Sequence, residues 1–219
     1  MPPLRRSSAK AVAATRVIRE RKDPLEDEAR FLRSWFERPL VTGAVTPSGR
    51  MLARTMAAYA DPSVDGPVIE LGPGTGPVTE ALIRRGFDQE RLILVEFNPD
   101  FCRLLQRRFP RTTVIRGDAY RIRETLGGLL DRPCAATISS LPLFTKPLEQ
   151  RLDLLQGAHD LMHPGAPFVQ FTYAVVPPIP ARCEAGSYTA SRSNKVWLNL
   201  PPARVWVYRR PEASKPATP

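Results

Sequence analysis

Short apolar runs alternate with segments of helical periodicity through the middle of the chain. The runs with the length and apolar content of buried strands cover residues 68–71, 92–95, 113–115, 134–139 and 168–174. Helical patterns cover residues 49–58, 77–85, 99–109, 122–130 and 147–162. Strands that alternate with helices predict an α/β fold with a doubly wound, mainly parallel sheet.

The end of the chain predicts how this sheet is closed. Residues 182–195 have little apolar content and predict an exposed loop beside the active site. Residues 195–200 and 204–208 flank two prolines and predict an antiparallel hairpin, which brings the sheet to seven strands. The tail at 211–219 has the composition of a disordered segment.

A basic arm and a two-faced helix precede the predicted sheet. Residues 1–23 are rich in Arg, Lys, Ala and Ser. At helical periodicity, the segment 29–38 places Phe31, Leu32, Trp35 and Phe36 on one arc and Arg30, Arg33, Ser34, Glu37 and Arg38 on the other. Such a stripe commonly packs on a protein's own core, but aromatic residues opposite arginines are also typical of helices in a lipid interface. The lipid interpretation assigns membrane contact to Phe31, Arg33, Trp35, Phe36 and Arg38.

The charge balance adds a class of partner to this picture. The chain has 219 residues and a formal net charge of +10, which predicts an anionic partner, either nucleic acid or an acidic membrane surface. The length suits one domain with appendages, and we divide it into 1–45, 46–210 and 211–219. No apolar run approaches the roughly 18 residues that cross a bilayer, so we expect a soluble or peripheral protein.

Cysteine and histidine usage argues against a metal site. The three cysteines lack a C-x-x-C spacing, which favours a reducing compartment and disfavours zinc. His159 and His163 lie four residues apart on one predicted helix, but no third ligand is evident. We therefore expect no bound metal.

A glycine-rich turn follows the first predicted strand. Gly72, Gly74 and Gly76 are spaced two apart, and Thr75 lies between the last two. The dinucleotide-binding fingerprint instead places its last two glycines three apart and binds a pyrophosphate. Glu70 precedes this turn, and its carboxylate would repel a pyrophosphate but suits a ligand that carries an ammonium and a sulfonium.

Acidic residues also end the next two predicted strands. Glu96, followed by Phe97, is placed to accept hydrogen bonds from ribose hydroxyls. Asp118, followed by Ala119, is placed to accept from an adenine amino group. Together with the glycine turn, these residues resemble the class I S-adenosylmethionine-dependent methyltransferases. The resemblance implies S-adenosylmethionine as the cofactor, bound by Glu70, Gly72, Gly74, Thr75, Gly76, Glu96, Phe97, Asp118, Ala119, Ser139 and Thr46.

The loop before the helix at 49–58 has two interpretations. In class I enzymes the segment before the first strand often folds over the cofactor, which makes Thr46 and Ser48 candidate lid residues. Ser48 is equally well placed as a simple N-cap of that helix.

The residues after the fourth strand bear on the methyl acceptor. N6-adenine methyltransferases place Asn or Asp before a proline-containing segment and follow it with an aromatic ring. This chain has Ser139, Ser140, Leu141 and Pro142, followed by Leu143. The amide acceptor and the adjacent stacking ring are both absent, which disfavours a nucleobase amine.

Residues 25–209 resemble the bacterial phospholipid N-methyltransferases. The matching pieces are the helix at 31–36, the segments 45–48 and 70–76, and the segments 96–99, 117–119, 139–142, 170–173 and 199–202. The resemblance implies stepwise methylation of phosphatidylethanolamine to phosphatidylcholine at the cytoplasmic face of the cell membrane. We also expect an anionic membrane surface as partner, no nucleic acid, and a monomer.

Roles for individual residues follow from that chemistry. Tyr173, Ser140 and the Leu141 carbonyl are candidates for orienting the amine, and Tyr173 or water would accept its proton. The lipid phosphate needs cations and hydroxyls, for which Arg182, Tyr188, Arg192 and Lys195 are the candidates. The alternative for Tyr173 is a buried tyrosine of the core. The alternative for each phosphate candidate is a residue of a solvated charged loop.

Two other functions remain open. An RNA adenine methyltransferase of the rRNA dimethyltransferase type would account for the basic charge. A non-catalytic membrane-binding module that keeps a cofactor fold would account for the two-faced helix, but the intact Glu70, Glu96 and Asp118 argue against it.

Overall fold

A seven-stranded mixed sheet forms the centre of the protein. The computed structural model describes residues 47–180, 188–193 and 202–211. The strands are β1 (Val68–Leu71), β2 (Leu92–Glu96), β3 (Thr113–Arg116), β4 (Ala136–Ser139), β5 (Pro167–Thr172), β6 (Thr189–Arg192) and β7 (Arg204–Arg209). Their order is β3-β2-β1-β4-β5-β7-β6. The first five are parallel to their neighbours, and β7 runs antiparallel to both β5 and β6.

Helices cover both faces of the sheet. They are α1 (Pro47–Ala57), α2 (Pro77–Arg84), α3 (Pro99–Arg108), α4 (Ile122–Leu126) and α5 (Leu148–Asp160), with short 3-10 turns at Gln89–Arg91, Ala119–Arg121 and Leu143–Thr145. This arrangement confirms the predicted doubly wound α/β fold.

Each face of the sheet has its own apolar core. Buried side chains of α1, α2 and α3 pack on one face, around Val68 and Leu94. Those of α4 and α5 pack on the other face, around Ile69 and Val95. Alternate residues of a strand point to opposite faces, so β1 and β2 must be apolar at nearly every position. Glu70 in β1 and Glu96 in β2 break that rule and therefore mark a functional edge.

Several predicted boundaries are shifted. α1 begins at Pro47, so Ser48 lies within the helix and the prediction that it precedes and caps the helix is wrong. α4 ends at Leu126, because Gly127 and Gly128 follow and Gly128 takes a φ of 76°. α5 ends at Asp160, which shortens the helix predicted at 147–162.

The sequence had predicted that the two histidines share a helix, and this prediction is wrong. His159 lies in α5 and is buried, and His163 lies beyond the end of that helix. Nε2 of His163 is 3.2 Å from the carbonyl oxygen of Asp65. Among the described residues, no group of three or more His, Cys, Asp or Glu side chains is placed to hold a metal ion.

The closing hairpin differs from the prediction. β7 pairs with β5 along its whole length, and its other edge pairs with β6 and then accepts a hydrogen bond from the Ser193 amide. Both edges of β7 are therefore paired with described strands, and the strand predicted at 195–200 lies outside the described residues. The segment predicted as a loop at 182–195 contains β6, an edge strand whose polar sequence carries no apolar alternation.

Some predictions lie outside the described residues. These are the basic arm and the helix at 29–38, Thr46, Arg182, Lys195 and the tail at 212–219. In the described part of the chain, no helix is both long and apolar enough to cross a membrane.

Candidate active site

The turn between β1 and α2 depends on its glycines. Gly72, Gly74 and Gly76 have φ values of 67°, 56° and 86°, in the left-handed region that other residues rarely adopt. A Cβ on Gly76 would lie 2.5 Å from a ring carbon of Phe109, so this glycine also permits close packing of α3. A Cβ on Gly74 would meet no atom of the described residues within 4 Å, which leaves open space for a ligand.

Glu70 lies beneath this turn and is fully buried. Its Oε2 accepts a hydrogen bond of 2.6 Å from the hydroxyl of Thr79, and its Oε1 is buried without a partner in the described residues. Burial raises the pKa of Glu70 to about 7, the Thr79 hydroxyl acts against this rise, and the Glu96 carboxylate adds to it. A cationic ligand would satisfy the unpartnered oxygen and favour the ionised form.

Glu96 ties the glycine turn to the end of β2. Its Oε2 accepts a hydrogen bond of 3.1 Å from the Gly74 amide, and its Oε1 accepts one of 2.9 Å from the Asn98 amide. These bonds hold the carboxylate at the carboxyl edge of the sheet, where open α/β folds bind ligands.

Asp118 is held in the same way after β3. Its side chain accepts a hydrogen bond of 2.9 Å from the Tyr120 amide and caps the following 3-10 turn. The hydroxyl of Thr125 donates to the Asp118 carbonyl at 2.9 Å. The acidic side chain that the sequence placed at this strand end therefore has a defined position.

A cavity of about 490 Å³ opens between these strand ends. It is lined by Gly72, Val95, Glu96, Phe97, Asn98, Phe101, Gly117, Asp118, Ala119, Tyr120, Leu141, Pro142, Thr145 and Lys146. The ring of Phe97 is 74% exposed at its margin. The volume lies in the range of small-molecule sites.

The sequence had not singled out two of the lining residues, Tyr120 and Lys146. The Lys146 ammonium lies 4.8 Å from the centroid of the Tyr120 ring, within range of a cation–π interaction. Burial raises the pKa of Tyr120, and the Thr145 hydroxyl partly offsets that rise. An aromatic residue next to Asp118 and Ala119 was the available signal for Tyr120, but nothing in the sequence connects Lys146 to it.

The segment after β4 forms another wall of the site. Ser139 is buried, and its hydroxyl oxygen lies 3.4 Å from the Leu141 amide, which donates to it. The Ser140 amide donates to the Leu71 carbonyl. The Leu141 carbonyl accepts from Nε2 of Gln170 at 3.0 Å and from the Leu143 amide at 2.9 Å. Both of its lone pairs are engaged, so a role for this carbonyl toward an amine requires one of these bonds to open.

Tyr173 and Tyr188 are less well connected to the cavity. Tyr173 follows β5, is half-buried, and packs edge-to-face on Phe171 at a centroid distance of 5.5 Å. It is not one of the cavity-lining residues. Tyr188 is buried, and its hydroxyl donates to the Pro180 carbonyl at 2.8 Å. The predicted exposed position of Tyr188 is therefore wrong, because its ring belongs to the apolar core of the α4–α5 face.

The described residues fit S-adenosylmethionine. The unpartnered Oε1 of Glu70 suits a cationic methionine group, and the space above Gly74 admits a ligand against the main chain. Glu96 and Asp118 border the cavity at the positions expected for ribose and adenine contacts.

Comparisons with known proteins agree with this site, although no protein-family model matches the chain. The chain is 30% identical over 151 residues to the ornithine lipid N-methyltransferase of Singulisphaera acidiphila, and the alignment covers 68% of this chain and 79% of that enzyme. It is 34% identical over 96 residues to ribosomal RNA small subunit methyltransferase A of a Synechococcus strain, covering 42% of this chain but 31% of that enzyme.

A solved structure has the same fold. The N-methyltransferase NodS of Bradyrhizobium japonicum, in complex with S-adenosyl-L-homocysteine, superposes with a TM-score of 0.58 and 14% identity, over 84% of this chain and 99% of that one. At this identity the likeness concerns the fold alone. Taken with the sequence similarity to the Singulisphaera enzyme and with the glycine turn and acidic strand ends, it leads to one assignment: the chain belongs to the class I S-adenosylmethionine-dependent methyltransferases.

Proposed function

We propose that this methyltransferase acts on the amine of a membrane lipid, converting phosphatidylethanolamine through its mono- and dimethyl forms to phosphatidylcholine. The observation that carries the proposal is a group of exposed apolar side chains on connections at the edge of the sheet that carries the cofactor cavity. The relative named as an ornithine lipid N-methyltransferase supports a lipid amine as the acceptor.

Four exposed side chains form this group, which we call the apolar rim: Phe97, Leu148, Val175 and Val176. They lie in the connections that follow β2, β4 and β5. Because these strands are parallel, the connections meet at the edge of the sheet that carries the cavity. Exposed apolar side chains on the same side of a protein as a ligand site are typical of surfaces that contact a membrane or an apolar ligand.

Two arginines bond to the segment after β5 that carries the two valines of the rim. Nη1 of Arg204 donates to the Val175 carbonyl at 3.2 Å, and Nη1 of Arg151 donates to the Pro178 carbonyl at 2.6 Å. Apolar side chains beside cations suit the surface of an anionic bilayer, where each nearby basic residue contributes about 1 kcal/mol. The helix predicted at 29–38 would be a second contact with the same surface.

The chemistry asks little of the protein beyond alignment. S-adenosylmethionine supplies an electrophilic methyl group bonded to a sulfonium. The chain must exclude water and hold the amine in line, and the ammonium must lose a proton before its nitrogen can attack. We keep Tyr173 or water as the acceptor of that proton, and Ser140 as a candidate for orienting the amine.

The RNA alternative has one observation in its favour. The similarity to ribosomal RNA small subunit methyltransferase A covers 42% of the chain, and the net charge of +10 suits RNA. Against it, the acceptor segment offers the small hydroxyls of Ser139 and Ser140 where an adenine amine needs an amide oxygen.

The decisive experiment compares acceptors under one set of conditions. The protein is incubated with methyl-labelled S-adenosylmethionine and, separately, with vesicles of phosphatidylethanolamine, vesicles of ornithine lipid, and ribosomal RNA. We expect label in the mono-, di- and trimethyl products of phosphatidylethanolamine after lipid extraction and chromatography. Label in the RNA with none in either lipid would establish the alternative and refute the proposal.

Membrane contact by the rim has its own test. We expect the double variant Val175→Asp, Val176→Asp to sediment less with phosphatidylglycerol-containing vesicles and to keep its affinity for S-adenosylhomocysteine, since the two valines do not line the cavity. Leu129→Asp is the matched control, because Leu129 is also exposed but lies in the connection that leads into β4, at the opposite edge. Equal sedimentation of both variants would show that the rim does not bind lipid.

A further inference from the structure

Four polar side chains form a transverse row across the second half of the sheet. Ser139 in β4 lies opposite Gln170 in β5, and Gln170 lies opposite Trp206 in β7. Trp206 in turn lies opposite Arg192 in β6. Registered partners on neighbouring strands point to the same face. We call these residues the polar row.

The row connects the cavity to the edge of the sheet. Gln170 donates to the carbonyl of Leu141, which lines the cofactor cavity. At the other end, Arg192 is exposed on the edge strand β6. The row therefore begins next to a residue of the cavity wall and ends in solvent.

Gln170 has an unused acceptor inside the protein. The side chain is 1% exposed, and its Nε2 donates to the carbonyls of Leu141, at 3.0 Å, and Phe171, at 2.7 Å. Because both neighbours are acceptors, the amide must turn its NH₂ group toward them. Its Oε1 is buried and has no hydrogen-bond partner among the described residues.

Trp206 has an unused donor at the next position of the row. The side chain is 7% exposed, and its Nε1 is buried without a partner in the described part of the chain. An unsatisfied buried polar group costs roughly 1–3 kcal/mol. Two such groups of opposite kind on adjacent strands indicate a site that binds something with both a donor and an acceptor, such as a ligand or a water.

We propose that the polar row binds the head group of the methyl acceptor: Oε1 of Gln170 accepts an N–H of the amine, and the Trp206 indole and Arg192 bind the anionic group. The inference rests on the proposed function and names its recognition chemistry. Neighbouring strands are about 4.8 Å apart, which suits an amine and an anion joined by a short chain. A phosphate diester or the carboxylate of an amino-acid lipid meets this description equally.

The same contact accounts for repeated methylation. A protonated primary, secondary or tertiary amine keeps at least one N–H for Gln170, whereas the quaternary product has none. The products of the first two transfers are ammonium ions that keep this hydrogen bond, whereas the dimethyl form gives up its last N–H when it is deprotonated for attack and the quaternary product cannot regain one. This favours release after the third transfer.

Trp206→Phe tests the proposal because it removes the N–H and keeps an aromatic ring. We expect the KM for phosphatidylethanolamine vesicles to rise about tenfold, as for a lost hydrogen bond to a charged group, with little change in kcat or in affinity for S-adenosylhomocysteine. Arg192→Gln, an exposed change that spares the fold, should raise the same KM about threefold. Vesicles of ornithine lipid show whether a carboxylate is bound in the same way as a phosphate. Stearylamine has no anionic group, so we expect neither variant to change the KM for vesicles doped with it.

Tyr208→Phe is the matched control. Tyr208 lies on the same strand and face as Trp206, but its hydroxyl is bonded to the Ile179 backbone, at 3.2 Å to the amide and 3.0 Å to the carbonyl. We expect it to lower stability and leave KM unchanged. An unaltered KM in Trp206→Phe, with an active wild type, would overturn this inference and leave a bound water as the partner. A wild type that methylates neither lipid would refute the proposed function itself.

Discussion

Glu70→Gln is the sharpest test of the cofactor site, because Glu70 is fully buried and its folded pKa is about 7 against an ordinary value of 4.5. A carboxyl whose pKa is raised by folding stabilises the folded state below pH 4.5 and loses this contribution as the pH rises through 7. At 1.36 kcal/mol per pH unit, the loss between pH 5 and pH 8 is about 2 to 3 kcal/mol. Glutamine has nearly the same shape, can still accept from Thr79, and does not ionise.

Other groups titrate in the same window, so the comparison must be made between two proteins. Burial lowers the pKa of His159 to about 4, and this group has the opposite sign: its contribution is present above pH 6.5 and is lost as the pH falls toward 4. In the wild type, the changes of stability with pH that come from Glu70 and from His159 therefore offset each other. The difference in stability between Glu70→Gln and the wild type at each pH cancels the contribution of His159 and leaves that of Glu70.

The assay is thermal unfolding of both proteins without cofactor, at matched ionic strength, from pH 5 to pH 8. We expect equal Tm values at pH 5 and a Tm of the variant that is about 5–10 °C higher at pH 8, given roughly 2–4 °C per kcal/mol for a chain of this size. The same variant should bind S-adenosylhomocysteine more weakly at pH 8, where the wild type presents a carboxylate to the ligand ammonium. A Tm difference that does not change with pH would refute the reasoning.

Two further predictions concern the glycine turn. Gly76→Ala should cost on the order of 3 kcal/mol of stability, because its Cβ clashes with Phe109. Gly74→Ala should cost about 1 kcal/mol of stability but abolish binding of S-adenosylhomocysteine, because its Cβ enters the ligand space. Thermal unfolding measures the first effect and calorimetry the second, and equal effects of the two variants would contradict this account. Arg108 donates to the Thr75 carbonyl, so Arg108→Gln should weaken cofactor binding about threefold to tenfold, whereas Arg107→Gln, at an exposed neighbouring position, should leave it unchanged in the same titration.

Local chemistry explains why much of the cofactor site was predictable. The glycine turn requires positive φ at three positions, and glycine is the residue that takes this conformation without strain, so the turn appears directly in the sequence. Glu70 and Glu96 stand out because strands buried on both faces otherwise read as continuous apolar runs. The cofactor cavity follows, because the carboxyl ends of parallel strands meet at one edge.

Pairing at the far edge of the sheet was not predictable in the same way. β6 is a short edge strand with polar residues, and its pairing with β7 comes from backbone hydrogen bonds that carry no side-chain signature. Lys146 meets Tyr120 only because β3 and β4 end at the same edge, although the two residues are 26 positions apart in the sequence.

The sequence by itself determined the alternation of the first five strands with the helices, the glycine turn and the acidic strand ends, because each depends on residues close together in the chain. Only the tertiary structure decided which distant groups are satisfied. The unpartnered oxygen of Gln170 and the unpartnered nitrogen of Trp206 appear only once the register of β5 and β7 is known, because register sets which side chains share a face and which buried polar atoms find a partner.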